Sequence, residues 1–102
     1  MVLRTTLGGL LQTPQIGQAF DIELQVFETH EREESDMFII AVFSDTGVQL
    51  YNRAFSENFT FNVANNRTVR IPGLSQRVGR IEMYIWDRGT MRPLAEQYVR
   101  NF

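Results

Sequence analysis

The stretch from Arg80 to Glu96, RIEMYIWDRGTMRPLAE, decides the fold class of this chain of 102 residues. Its first part, from Arg80 to Asp87, alternates between two sets of side chains. One set is Ile81, Met83 and Ile85, and the other is Glu82, Tyr84 and Trp86. A period of two is typical of a β-strand, whose successive side chains point to opposite faces. A turn at Arg88-Gly89-Thr90 and a short closing segment behind Pro93 follow, so the stretch predicts the end of an all-β domain.

Segments before Arg80 also have the sequence pattern of β-strands and turns. Phe20 to Val26 alternates strictly between apolar and polar residues, which predicts a half-buried antiparallel strand. Met37 to Phe43 is apolar on both faces, which predicts a strand in the middle of a sheet with cover on both sides. Ser44 to Gly47 has the composition of a reverse turn. The segment from Val48 to Phe55 is therefore predicted to return as the hairpin partner.

The residues from 58 to 71 predict two further strands around a turn. In the first, Phe59, Phe61 and Val63 alternate with polar residues. The turn is predicted at Ala64 to Arg67. The second strand contains Val69 and Ile71 and ends before Pro72-Gly73, because proline has no N–H to donate to a ladder.

No window has the apolar spacing of an amphipathic helix. About seven or eight short strands separated by turn residues predict a two-sheet antiparallel β-sandwich. Residues 1–102 are predicted to form a single β-sandwich domain, in which residues 1–15 are a peripheral or exchangeable strand. The predicted core is Phe20, Ile22, Leu24, Val26, Phe38, Ile40, Val42, Phe59, Phe61, Val69, Ile71, Ile81, Met83 and Ile85.

Composition excludes several classes of function. The formal net charge of −2 gives no general attraction to nucleic acid or to anionic membranes. The absence of cysteine excludes disulfides, thiolate metal sites and a cysteine nucleophile. No apolar run approaches the ~20 residues of a membrane span. All ten basic residues are arginine, which fits either an interface rich in Arg–carboxylate pairs or, as the favoured interpretation, a genome that favours arginine codons.

Two motifs resemble a known family. They are the hairpin from Ile39 to Gly47 and the closing motif Ile85-Trp86-Asp87 with Met91-Arg92-Pro93-Leu94. Both resemble immunoglobulin-like β-sandwich accessory modules in secreted multidomain carbohydrate-active enzymes and surface proteins of Gram-positive bacteria. The resemblance implies an immunoglobulin-like fold, an extracellular or cell-surface location, and a role as spacer, docking surface or glycan contact without catalysis. The missing lysines depart from the family pattern.

The sequence offers no catalytic, metal or cofactor site. The only histidine, His30, lies in an acidic loop, where no packed neighbour would position it as a general base. The same loop, residues 28–36, has carboxylates but lacks the spacing of a calcium-binding loop. The arginines between Arg67 and Arg80 lack the interleaved aromatic residues of a nucleic-acid surface. The chain is therefore predicted not to be an enzyme.

The candidate binding residues are four aromatic side chains on two strands. Tyr84 and Trp86 share one face of their strand, and if exposed they are predicted to form a flat aromatic platform for a sugar ring or a protein partner. The alternative, which is the favoured interpretation, is that both faces of this strand are covered, one by the opposite sheet and the other by a neighbouring loop or the N-terminal segment. Tyr51 and Phe55 share a face of the strand from Val48 to Phe55 with Arg53, and these three residues form a second candidate patch.

The leading expectation is a non-catalytic extracellular accessory module, a spacer or protein-interaction unit whose partners are neighbouring domains. The alternative is a self-associating structural subunit of a filament, shell or surface array. In that case Val2 to Leu7 or Leu94 to Phe102 adds as a strand to the exposed edge of another copy. A third expectation is a carbohydrate-contacting module.

Overall fold

The computed structural model describes residues 1–27, 36–94 and 96–102. These residues form seven β-strands and no helix, which confirms the all-β prediction. The strands are β1 (Val2–Thr5), β2 (Phe20–Phe27), β3 (Asp36–Ser44), β4 (Gln49–Glu57), β5 (Ala64–Ile71), β6 (Val78–Asp87) and β7 (Tyr98–Asn101). Within this described part of the chain, no helix has the length and apolarity to cross a membrane.

The strands form two antiparallel sheets. A three-stranded sheet has the order β1-β2-β5, and a four-stranded sheet has the order β4-β3-β6-β7. The chain passes from one sheet to the other after β2, β4 and β5, as in immunoglobulin-like sandwiches. The predicted immunoglobulin-like sandwich is confirmed. The doubly apolar segment forms β3, which lies inside its sheet between β4 and β6, as the sequence predicts.

The core lies between the two sheets, and most of the predicted core residues are buried in it. Val26 and Ile85 are partly buried and pack against its rim. Three core residues were not predicted: Leu3, Leu74 and Val78 are each less than 10% exposed. Full burial of a side chain of this size stabilises the fold by about 1.5–3 kcal/mol. The predicted residues that are fully in the core are Phe20, Ile22, Leu24, Phe38, Ile40, Val42, Val69, Ile71, Ile81 and Met83.

The predicted strand over residues 58–63 is wrong. These residues form the loop between β4 and β5, and Asn62 adopts a positive φ of 62° within it. The predicted turn at Ala64 to Arg67 is wrong as well, because β5 begins at Ala64. Phe59 is only half-buried and Phe61 is 46% exposed, so neither belongs to the core.

Asn65 explains why the alternating pattern of this loop does not produce a strand. Its side chain is 6% exposed. The Nδ2 amide donates to the carbonyl oxygens of Val26, Thr60 and Val63 at 3.0–3.1 Å. Its Oδ1 accepts a hydrogen bond from the N–H of Thr60 at 2.7 Å. One side chain therefore takes the place of ladder partners and holds the loop against the end of β2.

The closing motif forms the hairpin that follows β6. The Asp87 Oδ1 accepts hydrogen bonds from the N–H groups of Gly89 at 2.8 Å and Thr90 at 3.0 Å, which fixes the turn. Pro93 then forms an isolated antiparallel bridge with Trp86. The Trp-Asp and Pro-Leu halves of the motif thus lie side by side, and the motif has a structural role in the turn.

A β-bulge in β6 requires glycine. Phe43 pairs with Arg80, but Ser44 pairs with Val78, so Gly79 is the additional residue in β6. Its backbone lies so close to β3 that an added Cβ would be 2.4 Å from the Cα of Asp45. Only a residue without a side chain fits this position.

Candidate docking face on the four-stranded sheet

The outer face of the four-stranded sheet, which points away from the core, carries apolar side chains. Residues that pair directly across antiparallel strands share a face of the sheet. The outward pairs between β3 and β6 are Met37 with Trp86, Ile39 with Tyr84, Ala41 with Glu82, and Phe43 with Arg80. We refer to Met37, Ile39, Phe43, Tyr84 and Trp86 as the outer patch.

The outer patch is unusual for a sheet that packs on its core with one face only. The free face of such a sheet is ordinarily polar. All five side chains of the outer patch are half-buried, and no further strand among the described residues lies over them. The sequence predicted cover on both sides of β3, but in the described part of the chain only the inner side is covered by a second sheet. The side-chain contacts on this face include those of Tyr84 with Trp86 and of Arg80 with Phe43.

Tyr84 and Trp86 contact each other but do not form a flat platform. Their ring centroids are 6.5 Å apart, and the ring planes are inclined at 74°. This edge-to-face arrangement is one that aromatic pairs favour. The predicted coplanar surface is therefore wrong, and the two rings instead form two walls of a corner.

The closing hairpin completes a shallow depression next to this corner. Pro93 and Leu94 lie beside Tyr84 and Trp86, and the polar side of the depression is formed by Glu96 and Gln97, with a volume of about 560 Å³. The lining is apolar on the strand side and polar on the rim. Such a depression accepts an apolar group or a ring with hydroxyl substituents.

Glu82 interacts with two polar side chains, Arg80 and Gln97, at the polar end of the outer face. Its side chain is 12% exposed, and the Nε of Arg80 lies 3.6 Å from its Oε1. The same oxygen accepts a hydrogen bond from Gln97 Nε2 at 2.8 Å. Burial raises the pKa of Tyr84, and the charge and hydrogen bond of Glu82 raise it further, while Arg80 opposes them. Tyr84 therefore stays a neutral hydrogen-bonding group at neutral pH.

We expect Tyr84 to ionise above the ordinary tyrosine pKa of about 10. Because the pKa of Tyr84 is raised in the folded state, the contribution of Tyr84 to stability is fully present below the unfolded pKa and is lost as pH rises through the folded pKa.

Glu82→Gln removes the negative charge of Glu82 and should lower the Tyr84 pKa, although burial still keeps that pKa raised. Ultraviolet absorbance titration, with Tyr84→Phe to assign the transition, measures this. An unchanged midpoint in Glu82→Gln, equal to that of a Glu23→Gln control, would contradict the assignment.

Tyr51 and Phe55 lie on the opposite face of the same sheet. They pair with Val42 and Phe38, which point into the core. The rings of Phe55 and Phe38 have centroids 5.1 Å apart. Both Tyr51 and Phe55 are partly buried and pack against the core. The structure therefore does not bring the two predicted aromatic patches together.

Among the described residues, arginine side chains lie over aromatic rings at four places. The guanidinium carbon is 4.4 Å from the ring centroid for Arg80 over Phe43, which is part of the outer face. The other three pairs, at 5.1–5.4 Å, are Arg53 with Phe55, Arg67 with Phe59, and Arg100 with Phe102. A planar guanidinium stacks on a ring in a way that an ammonium group does not. These contacts give part of the arginine content a structural role.

His30 and the acidic loop fall outside the described residues, apart from Asp36 at the start of β3. Asp36 is 3% exposed and makes contacts within the fold. Among the described residues, no group of three or more His, Asp or Glu side chains is placed to hold a metal ion.

Comparison of the chain with protein-family models, with curated proteins and with solved structures gave no match.

Proposed function

We propose that this chain is a non-catalytic accessory module of a larger secreted or surface protein, and that it docks onto a neighbouring domain through the outer patch. The observation that supports this is the apolar row on the outer side of β3, which continues into Tyr84 and Trp86 on β6. A contiguous row of partly exposed apolar side chains on the free face of a sheet is typical of interaction surfaces.

The chemistry of the face fits a protein partner. Three strands of nine or ten residues are about 30 Å long and β7 has four residues, so at a spacing of ~4.8 Å the face spans roughly 500 Å², somewhat less than the about 800 Å² per partner of a standard interface. Aromatic residues are enriched in the energetically dominant parts of such interfaces. The charged pair of Arg80 and Glu82 lies at one end of the outer face and would orient the partner.

The fluorescence of Trp86 tests this proposal directly, because Trp86 is the only tryptophan in the chain. In the full-length parent protein, we expect Trp86 to be protected from iodide quenching relative to the isolated domain, after other tryptophans of the parent have been replaced by phenylalanine. Ile39→Glu places a charge in the middle of the outer patch and should restore quenching to the level of the isolated domain. Ser75→Glu, in an exposed loop, is the matched control and should leave the protection intact. Equal quenching in both contexts would exclude docking through the outer patch.

A self-associating subunit is the second candidate, and the short β1 strand is the observation that favours it. β1 pairs only Val2–Thr5 with β2, so four residue pairs hold it in its sheet. Strand addition between copies would require exchange of β1 or β7, because each is paired inside its own sandwich. Size-exclusion chromatography over a range of protein concentrations separates this candidate from the first. A monomer at all concentrations, unchanged by deletion of residues 1–7, would exclude it.

A carbohydrate contact is the third candidate, and it is favoured by the corner of Tyr84 and Trp86 beside the polar rim of Glu96 and Gln97. The apolar face of a sugar ring stacks on an aromatic side chain, while carboxylate and amide groups bind its hydroxyls. Titration of soluble oligosaccharides against Trp86 fluorescence tests it. Loss of the response in Gln97→Ala, with retention in Gln76→Ala, is the expected result for a specific site.

A further inference from the structure

One side of the sandwich leaves two long strands without partners. β4 and β5 are edge strands of their sheets, and they have nine and eight residues. In the described part of the chain, no strand pairs with the outer edge of either. An unpaired strand edge presents a row of free N–H and C=O groups and is a template for an added strand.

The opposite side of the sandwich, formed by β1 and β7, is partly covered. Residues that follow β1 fold back over its edge, where Arg4 bridges Leu10 and the N–H of Leu11 donates to the carbonyl oxygen of Leu3 at 3.0 Å. Arg100 of β7 donates to the carbonyl oxygen of Gln12 at 3.4 Å. β7 is an edge strand of only four residues, so the long free edges available to a partner strand are on the side formed by β4 and β5.

A groove of about 300 Å³ runs between these two edges. Phe55 and Val69 supply its apolar part. Its charged lining residues are Arg53, Glu57, Arg67 and Arg70, which give an excess of positive charge in a chain whose net charge is −2. The groove is thus locally complementary to an acidic ligand.

Two of the three arginines are already paired with carboxylates. Arg67 Nε is 2.8 Å from Glu57, and Arg70 Nε is 2.8 Å from Asp21. Arg53 has no carboxylate partner among the described residues, and its guanidinium lies over the ring of Phe55, 5.4 Å from the centroid. Arg53 is therefore the cation available to a ligand in the groove.

The position of Arg53 determines which strands the β4 edge accepts. Arg53 pairs with Ile40, which is fully buried, so it lies on the inner face of the sheet at the edge strand. An inward-pointing charge of this kind opposes addition of an apolar strand, since burial of an unpaired charge is costly. Pairing of β4 with β4 of a second copy would bring two Arg53 side chains together, and like charges repel. An added strand with a carboxylate at the matching inward position pairs with Arg53 and so removes the free-energy cost of burying its charge.

We propose that the β4 edge binds an extended acidic peptide segment of another protein, which adds as a strand and places a carboxylate against Arg53. Backbone hydrogen bonds to β4 supply affinity, and the carboxylate supplies selectivity. This surface is separate from the outer patch, so the two proposals can fail independently.

The test uses the whole chain and a fluorescent peptide of about ten residues in which valine and threonine alternate and one central residue is glutamate. Fluorescence anisotropy at low ionic strength should show saturable binding. Arg53→Ala should weaken it at least tenfold. Arg92→Ala, at an exposed arginine in the turn after β6, is the matched control and should leave it unchanged. Circular dichroism confirms that each variant is folded.

Altered peptides separate strand addition from general charge attraction. A peptide with glutamine in place of glutamate should bind at least tenfold more weakly. A peptide with N-methyl groups on alternate backbone nitrogens keeps its charge but cannot pair with β4, and it should not bind. The Arg53→Glu variant should no longer bind the acidic peptide and should bind a peptide with arginine at the same position. Absence of binding, equal binding of the glutamine or N-methylated peptide, or equal weakening by Arg53→Ala and Arg92→Ala would each overturn the proposal.

Discussion

Gly79→Ala is expected to destabilise the domain by more than about 3 kcal/mol, or to prevent folding. The new Cβ would lie 2.4 Å from the Cα and 2.7 Å from the N of Asp45, and 2.9 Å from the carbonyl oxygen of Ser44. All three are backbone atoms, so no side-chain rotation relieves the overlap. The β3–β6 ladder must move, and this ladder is the centre of the four-stranded sheet.

Urea unfolding followed by Trp86 fluorescence measures the loss, which is a large part of the ~5–15 kcal/mol that stabilises a typical domain. Gly9→Ala is the matched control, because its Cβ would meet only the Thr5 Oγ1 at an ordinary 3.4 Å. That substitution is expected to change stability by less than about 1 kcal/mol. Similar unfolding midpoints for the two variants would show that the bulge can rearrange without cost.

Asn65→Ala is expected to cost about 2–4 kcal/mol, because it removes the hydrogen-bond partners of four backbone groups in a partly buried network at once. The carbonyl oxygens of Val26, Thr60 and Val63 lose their donor, and the N–H of Thr60 loses its acceptor. The loop between β4 and β5 should open to water, and its amide hydrogens should exchange faster.

Hydrogen exchange and urea unfolding together test this expectation. Asn66→Ala is the neighbouring control, since Asn66 is exposed and its side-chain amide oxygen accepts one hydrogen bond, from Gln25 at 3.3 Å. Its effect should stay within about 0.5 kcal/mol. If the two variants unfold at the same urea concentration, Asn65 does not organise the loop.

The parts of the fold that the sequence predicted are those in which hydrophobic periodicity determines the structure. The pattern from Phe20 to Val26 and the apolar run of β3 specify their strands because one face, or a central position, must be buried. Residues 58–63 show the limit of this reasoning. Their alternation is as regular as that of β2, but the hydrogen bonds of Asn65 outweigh it, and those bonds depend on where β2 ends in space.

The candidate sites were predictable to different degrees. The shared face of Tyr84 and Trp86 followed from a period of two, but the inclination of their rings depends on packing. The expected cover on the outer side of β3 is not provided by a strand among the described residues, and the sequence pattern of an apolar outer face does not specify what covers it. The groove at Arg53 requires β4 and β5 to be edges on the same side, and no pattern within either strand contains that information.

The pairing of β2 with β5 has a consequence for the order in which the chain folds. Phe20 pairs with Ile71 and Phe27 with Ala64, so this ladder joins distant segments, whereas β3 and β4 pair across a tight turn. Contacts between distant segments form late, because closure of a long loop costs more entropy. During synthesis the β3–β4 hairpin therefore precedes the three-stranded sheet. Until β5 has emerged, the inner apolar face of β3 lacks the complete second sheet, and apolar surface exposed in this way favours aggregation of the nascent domain.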